Sequence, residues 1–337
     1  MRILLTGASG FIGSRVCAAL AAEGGEVRAF CRSEPPARAK AAEWFPGDVT
    51  DSLSLARALA GSEAVVHTAA LYSYARSEAR LMHAVNVEGT CNLVRESINA
   101  GVRRVLITSS SCTCGPVPGR PANERDVAPP WELRVPYKAT KLAAERLALS
   151  ATDGRTDVLC VNPTTVVGEG DARPTPSGRM IRDLLHRRIN AYLPGGGMNV
   201  VSVDDVARGH ALALARGRAG ERYILGGDDV PLREVFAIVL AAVGRPPPRW
   251  PLPWSAVYAV ALAVDVSCRA VGHEPRLIVR DEVRLSRIPL YFSSEKARRT
   301  LGYSPQPAAI ALADAAQWFA RLRAEEVGTG RTLVPVH

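Results

Sequence analysis

Thr6-Gly7-Ala8-Ser9-Gly10-Phe11-Ile12-Gly13 follows the apolar run Ile3-Leu4-Leu5 and precedes the helical pattern Val16, Ala19, Leu20. A strand therefore enters a glycine turn that opens a helix. Glycine at 7, 10 and 13 lets the backbone turn sharply, lets a pyrophosphate approach the main chain and lets the helix pack on the strand. The helix N-terminus adds unpaired N–H groups for an anion. The G-x-x-G-x-x-G spacing is one residue longer in its first gap than the G-x-G-x-x-G fingerprint, and a glycine triplet alone also fits an ordinary strand-to-helix turn. Its place directly after an N-terminal strand selects a dinucleotide cradle lined by Gly7, Ser9, Gly10, Phe11, Ile12 and Gly13.

Downstream, Pro136-Tyr137-Lys138-Ala139-Thr140-Lys141 opens a helical segment running through Leu142, Ala143, Leu147 and Leu149, which puts Tyr137 and Lys141 on one face. A phenol with an unperturbed pKa of about 10 exchanges protons poorly at neutral pH, but a neighbouring cation favours phenolate and lowers that value. A place in the first helical turn adds a smaller push from the helix dipole. Upstream, Arg104-Val105-Leu106-Ile107-Thr108 reads as a buried parallel strand ending in Ser109-Ser110-Ser111-Cys112-Thr113. Ligands bind at the carboxyl edge of open parallel sheets, so a hydroxyl there can reach a substrate carbonyl beside the tyrosine. A plain polar strand-to-loop transition is the competing reading of the serine run; the glycine turn and the Tyr137–Lys141 pair weigh against it.

The second strand, Glu26-Val27-Arg28-Ala29-Phe30-Cys31-Arg32, ends where an NAD enzyme places a carboxylate for the ribose 2′-hydroxyl, about twenty residues after the glycine turn. Cys31 and Arg32 stand there instead, followed by Arg38 and Lys40. That pattern favours a 2′-phosphate and hence NADP(H). If Arg32 is only a solvated arginine, NAD(H) is the alternative.

A chain of 337 residues with 47% hydrophobic content can bury one sizeable sheet domain and a smaller lobe. Strand and helix patterns alternate near 2–6, 11–23, 27–31, 52–60, 64–68, 80–100, 103–109, 136–150 and 156–161, which predicts an α/β fold with a doubly wound parallel sheet, the Rossmann fold. Beyond Gly168 the rhythm breaks into the loop Pro174-Thr175-Pro176-Ser177-Gly178, where substrate specificity is expected to begin. Pro246-Pro247-Pro248 and Pro251-Leu252-Pro253 stiffen the entry to an apolar stretch from Trp254 to Val271. Asp265 and Arg269 interrupt that stretch too soon for a bilayer span, and it reads as a lobe helix over the substrate cavity, without the polar face of an interfacial helix.

The net charge of +9 is scattered, with no basic run carrying interleaved aromatics, so steering of an anionic cofactor explains it and no nucleic-acid partner is expected. Seven cysteines without C-x-x-C spacing suggest reduced thiols and a cytoplasmic protein. Six histidines form no ligand-spaced cluster, so no metal is expected. Met1-Arg2-Ile3 runs straight into the first strand, so no signal peptide is expected.

The glycine turn, Asn86-Val87-Glu88-Gly89-Thr90, Thr108-Ser109-Ser110 and Tyr137-Lys138-Ala139-Thr140-Lys141 together resemble the extended short-chain dehydrogenase/reductase superfamily. Asn162-Pro163-Thr164-Thr165-Val166-Val167-Gly168, Val201 to Ala207 and Phe292 to Tyr303 extend the resemblance almost end to end. Within it the chain is similar to the dihydroflavonol-4-reductase-like branch. The segments Pro174–Arg179 and Tyr223-Ile224-Leu225-Gly226-Gly227 resemble the hopanoid-associated sugar epimerase group.

The resemblance implies roles for matching positions. Tyr137 is the expected general acid or base, Lys141 its tuner and a ligand of the nicotinamide ribose, Ser110 the holder of the reacting oxygen, and Asn86 a support for a proton relay. A helix-embedded asparagine can equally just satisfy neighbouring backbone. Asp48 and Val49 resemble the adenine contacts, Ala69 and Ala70 the adenosine and nicotinamide lining, and Pro163, Thr164, Thr165 and Val166 further cofactor contacts. Thr113 is a second hydroxyl for substrate. Tyr72 and Trp131 suit a carbon-rich substrate, and Arg173 an anionic one.

The implied architecture is a dinucleotide-binding domain of residues 1–168 and about 200–226, a smaller discontinuous C-terminal substrate lobe of about 169–199 and 227–323, and a tail of 324–337. A homodimer through the helices around 80–100 and 137–150 is expected. The expected chemistry is hydride transfer between a nicotinamide and the carbon of a small-molecule ketone, aldehyde or alcohol. A sugar or nucleotide-sugar epimerase or dehydratase with transient hydride transfer is the alternative. A non-catalytic dinucleotide sensor is remote, because both Tyr137 and Lys141 are present.

Overall fold

The computed structural model describes residues 1–73, 75–152, 154–189, 191–248, 250–270, 283 and 288–329. In chain order the first half gives β1 (Arg2–Thr6), α1 (Phe11–Ala22), β2 (Glu26–Cys31), β3 (Glu43–Pro46), α2 (Ser52–Leu59), β4 (Ala64–His67), α3 (Ala79–His83), α4 (Gly89–Asn99), β5 (Arg104–Thr108), α5 (Pro136–Ser150) and β6 (Asp157–Pro163). The second half gives β7 (Thr165–Val167), α6 (Pro176–Leu185), β8 (Ala191–Tyr192), β9 (Gly197–Ser202), α7 (Val203–Arg216), β10 (Arg222–Leu225), β11 (Asp228–Pro231), α8 (Leu232–Ala241), β12 (Trp250–Pro251) and α9 (Trp254–Ala270). Two more helices, Glu295–Leu301 and Ala308–Thr329, close the chain.

Seven parallel strands form one sheet in the order β3-β2-β1-β4-β5-β6-β10. The chain winds outward from β1 in one direction, returns to β1 and then winds outward in the other. At the β1/β4 junction the connections diverge and leave a crevice at the carboxyl ends of the strands. Register sets Thr6 opposite both Phe30 and His67, and His67 opposite Ile107, so the glycine turn and the Thr108 end share one edge. The central strands are covered on both faces. Leu5, Val66 and Leu106 join the core under α1 and α7, while Leu4, Val65 and Val105 join the core with residues of α2 and α4.

The sequence pattern missed β3. Its residues Glu43 and Trp44 are exposed at the sheet edge, so no alternation of apolar and polar residues marks it. The expected strand–helix–strand return at 200–226 exists in order, as β9, α7 and β10, but its partners divide. Strand β10 joins the large sheet and α7 packs on α1, whereas β9 lies between β7 and β11 in a separate three-stranded sheet. The cause is competition for an edge: β10 already pairs with β6, and Thr164 N–H donates to Leu225 O at 3.2 Å, so the chain leaves the large sheet at Pro163.

That small sheet packs with α6, α8 and the C-terminal helix around Ile181, Leu184, Val200, Phe236, Leu312 and Phe319. The helix Ala308–Thr329 runs into the stretch expected as a tail, and residues 330–337 lie outside the described residues. Among the described residues, no helix is long and apolar enough to cross a membrane.

Two histidines are buried under the carboxyl edge of the sheet. His67 Nδ1 lies 2.7 Å from Thr6 Oγ1 and Nε2 lies 3.1 Å from Thr90 Oγ1. Thr90 donates onward to Asn86 O at 2.7 Å, so it accepts from His67 Nε2–H, and His67 Nδ1 accepts from Thr6. His210 Nδ1–H donates to Val206 O at 2.7 Å, which leaves Nε2 to accept from Thr108 Oγ1 at 2.8 Å. Burial first, then the Lys141 charge, lowers the His67 pKa from 6.5 to about 3; burial lowers His210 to about 4.

Below pH 6.5 the unfolded chain binds protons that these folded sites refuse. Their contribution is therefore complete above that pH and is lost as the pH falls toward the folded values, by up to about 1.4 kcal/mol per pH unit for each histidine. Denaturant titrations at stepped pH should show this slope, and His210→Gln should flatten it while lowering stability at pH values above 6.5.

Candidate active site

Each glycine of the turn meets a different demand. Gly7 has φ +78°, and a Cβ there would lie 2.7 Å from Ala69 N, so the first position needs both the left-handed turn and the bare backbone. A Cβ on Gly13 would sit 2.1 Å from Gly7 O, which fixes the third as the contact between helix and turn. Gly10 has φ −81°, and its Cβ would meet only Gly7 O at 3.2 Å. The middle glycine thus keeps a surface open rather than relieving backbone strain. Gly10 is the N-cap of α1 and no side chain caps it, leaving first-turn N–H groups at Phe11 and Ile12 to an anion.

The remaining expected cofactor positions spread along the same edge. Ser9 lies beside the Cys31 thiol at the end of β2, whose Sγ donates to Ser33 O at 3.1 Å. Arg32 follows, 78% exposed, with Nε 4.0 Å from Asp48 Oδ2. Asp48 Oδ1 accepts from Thr50 N and Oγ1, and Val49 is buried where a Cβ on Gly89 would meet its Cγ2 at 2.7 Å. Ala69 N–H donates to Thr6 Oγ1 at 3.3 Å, and Ala70 is exposed beside it. Across the crevice, Pro163 ends β6, Thr164 Oγ1 donates to Asn199 Oδ1 at 2.8 Å, and Thr165 and Val166 are half-buried in β7. This edge fits a dinucleotide whose phosphates rest on α1.

Pro136 starts α5 at a position where a missing N–H costs nothing, which places Tyr137 in the first turn and Lys141 one turn on. Lys141 is buried, and its Nζ donates to Thr108 O at 2.7 Å, at the carboxyl end of β5. Burial lowers its pKa, and its charge is felt by His67 at the end of β4. Tyr137 is half-buried, with the Tyr72 ring edge-on at a centroid distance of 4.0 Å and 67°. Ser109 and Ser111 are buried, whereas Ser110 is half-exposed and N-caps the turn Ser111–Thr113, its Oγ accepting from Cys112 N at 3.3 Å. A phenol, an ammonium and one accessible hydroxyl thus line the edge that also carries the glycine turn.

Two expected site residues have their side chains bonded inside the protein. Thr113 is fully buried and donates to Glu145 Oε2 at 3.0 Å while accepting from Asn162 Nδ2 at 3.0 Å, so it lies beneath the site and not in the path of a substrate. Asn86 does not offer its side chain to a relay. Its Oδ1 accepts from Leu71 N at 2.7 Å, and its Nδ2 donates to Leu71 O at 2.9 Å and Thr140 Oγ1 at 3.2 Å. The amide clamps the loop after β4 to the helix bearing Tyr137, and a π-helical turn, Ala84–Glu88, aims it there.

Trp131 is half-buried at the start of the turn Glu132–Arg134, which the buried Lys138–Glu132 ion pair ties to the residue after Tyr137. Arg173 is exposed in the loop before α6, and among the described contacts none joins it to Tyr137. The Tyr72 ring is therefore placed against the phenol, and Trp131 stands at the turn that precedes its helix.

Sequence reading missed the polar support under Ser110. Glu145 Oε1 accepts from Arg222 Nη1 at 2.6 Å, and Asn162 Nδ2 reaches Glu145 Oε2 at 2.5 Å and Ser110 O at 3.1 Å. Tyr137, Lys141 and Glu145 repeat every fourth residue on α5, and that spacing was the available signal. Its partners come from β6 and β10, far away in the chain.

A cradle, a Tyr–Lys helix and a serine at one sheet edge define a nicotinamide-dinucleotide oxidoreductase. The chain belongs to the NAD dependent epimerase/dehydratase family, whose model matches residues 3–226, within the extended short-chain dehydrogenases/reductases. It is an NAD(P)-dependent enzyme of the dihydroflavonol-reductase-like kind. It is 36% identical to sterol demethylase protein B of Methylococcus capsulatus over 95% of this chain and 98% of that one. It is 33% identical to a putative dihydroflavonol 4-reductase of Synechocystis over 94% and 93%. Among solved structures, that of gox2253 aligns with a TM-score of 0.82 and 39% identity, covering 95% of this chain and 98% of the other.

The unequal glycines give a direct test. Gly7→Ala should lower stability by about 1–3 kcal/mol in urea denaturation. Gly10→Ala should change stability by less than about 1 kcal/mol yet weaken dinucleotide binding, followed by nicotinamide fluorescence, by more than about tenfold. Unchanged affinity in Gly10→Ala would contradict the cradle.

Proposed function

We propose that this protein is an NADP(H)-dependent reductase or dehydrogenase that interconverts a carbon-rich ketone or aldehyde with its alcohol. The observation that carries the reading is Lys141, buried on Thr108 O one helical turn from Tyr137 and two strand spacings from the glycine turn. The Tyr137 hydroxyl gives a proton to the substrate oxygen, or takes it back in the reverse direction. The Lys141 charge favours phenolate in the intermediate state, and Ser110 Oγ–H donates to the same substrate oxygen and holds it in reach. A nicotinamide bound at this edge supplies or accepts the hydride. Gly7, Ser9, Gly10, Phe11, Ile12 and Gly13 would hold the pyrophosphate, with Asp48, Val49, Ala69 and Ala70 on the adenosine side and Pro163 to Val166 on the nicotinamide side.

NADP(H) is favoured because β2 ends in Cys31 and Arg32 rather than a carboxylate, and Arg38 lies close by with its Nη2 on Gly170 O at 3.2 Å and its Nε 3.5 Å from Ser14 Oγ of α1. A carbon-rich substrate is supported by the Tyr72–Tyr137 ring pair and by Trp131, and by relatives named for a sterol and a dihydroflavonol. The epimerase reading needs cations available to a substrate diphosphate. Arg182 Nε instead lies 3.5 Å from Asp183 Oδ1, and the charges of Arg179 and Arg182 act on the buried Asp171 carboxyl.

The functional unit is proposed as a homodimer through α3, α4 and α5, where Leu81 is exposed and Cys91, Val94, Ile98, Leu147 and Ala151 line a shallow apolar cleft. The seven free thiols suit the cytoplasm.

A panel of carbonyls and alcohols, with nicotinamide absorbance followed for each cofactor, tests the reaction. Net cofactor oxidation or reduction is expected, and product without net redox would assign the epimerase reading. Tyr137→Phe should lower kcat/KM by at least about a hundredfold with cofactor affinity kept. Arg32→Asp should invert the NADP(H) preference. Sedimentation velocity should show a dimer that Leu147→Glu splits.

A further inference from the structure

Helix α9 turns one carboxylate inward and many of its aliphatic side chains outward. Its inward side carries Ala261 and the carboxylate of Asp265, both buried, and Trp254, whose Nε1 donates to Val283 O at 3.0 Å. Its outward side carries Ala256, Ala259, Val260, Leu262, Ala263 and Val266, with Val260 and Val266 51% and 59% exposed. A helix bordering water shows the reverse arrangement, polar outward and apolar inward. Just ahead of it, Trp250 in β12 is 73% exposed and Leu252 is exposed as well. Single exposed aliphatics need no explanation, but an exposed helix face that is mostly aliphatic, with Ser255 and Ser267 as its polar members among the described side chains, and that is continued by a tryptophan, suits something other than water.

Beside Trp250 runs a groove lined by Leu184, Arg187, Ile189, Leu240 and Arg245. Arg245 and Arg323 both donate to Leu185 O, each at 2.7 Å, and Arg187 lies close enough for its charge to act on Arg245. Two guanidiniums share one carbonyl and a third stands near them, in the groove beside Trp250. Cations beside inserted aromatic and aliphatic groups match a surface of phosphate headgroups over acyl chains.

We propose that the outer face of α9, with Trp250 and Leu252, seats this protein on an anionic lipid bilayer. The helix lies in the interface plane, its aliphatic side chains enter the headgroup–acyl boundary, and Arg187, Arg245 and Arg323 meet lipid phosphates. No span is involved, and the binding is independent of the reaction catalysed. The sequence alone shows no polar face on this helix. The fold supplies one from elsewhere by turning Asp265 inward and bringing arginines from the end of α6, the end of α8 and the C-terminal helix. A second copy of the chain fits the rim less well, because like charges would meet like.

The experiment is vesicle flotation of the full chain, with phosphatidylglycerol-containing vesicles against pure phosphatidylcholine. Binding at least about tenfold stronger to the anionic vesicles and weakened by salt is expected. The double variant Val260→Glu, Val266→Glu should lose at least about tenfold in vesicle affinity, with circular dichroism and melting unchanged because both sites are exposed. As an independent readout, vesicles should blue-shift the tryptophan emission of the wild type, and Trp250→Phe should remove most of that shift. Absence of vesicle binding by the wild type would overturn the proposal, as would unchanged binding by the double variant. So would a self-association of the wild type that the double variant alone abolishes, which would assign the face to a second copy.

Discussion

A buried ammonium must find hydrogen-bond acceptors or give up its charge, and Lys141 finds its acceptor in the last carbonyl of β5. That single bond joins α5 to the sheet. It sets the height of α5 against the strand ends and so the height of Tyr137 one turn earlier. The acceptor strand is itself held, since Thr108 also donates its hydroxyl to the neutral His210 from α7. Losing the acceptor geometry would leave a charge in a dry site at a cost of several kcal/mol, so the position of α5 is strongly specified.

Around this joint the polar groups of the interior form two directed chains. One runs from Ala69 N–H through Thr6, His67 and Thr90 to the Asn86 carbonyl. It links the strand before the glycine turn to the π turn that clamps Leu71 and Thr140. The other joins Arg222, Glu145, Asn162 and Thr113 under the Ser110 loop. The bonds of these networks hold the loop in place, although Asn162 Oδ1 stays buried without a hydrogen-bond partner. Asn86 and Thr113 thus act on the site by holding it, which explains why their residue types match the family while their side chains are spent elsewhere.

The lobe obeys a different constraint. Strand β10 completes the large sheet, so β7 and β9 cannot extend it and turn instead to β11 and to the core of α6, α8 and the C-terminal helix. The wall of the crevice opposite the glycine turn therefore belongs to both units, with Thr164 bonded to Leu225 on one side and Asn199 on the other.

The large sheet was legible because each central strand is a short, nearly continuous apolar run separated from the next by a helix-period segment, and burial on both faces writes that pattern directly into β4, β5 and β6. The glycine turn and the Tyr137–Lys141 pair were legible because they are local: a φ of +78° at Gly7 and a one-turn spacing on α5 need no distant partner. The edge strand β3 was hidden by its exposed side chains, and the small sheet by the fact that pairing depends on which edge is already taken. Glu145 with Arg222, Lys141 with Thr108 and the outward apolar face of α9 rest on neighbours dozens of residues away in the chain. Sequence by itself determined the elements and the local chemistry carried on them. Tertiary structure alone decided which polar groups are consumed inside and which stay available, because a hydrogen-bonding side chain serves the ligand only after the fold has met its own buried demands.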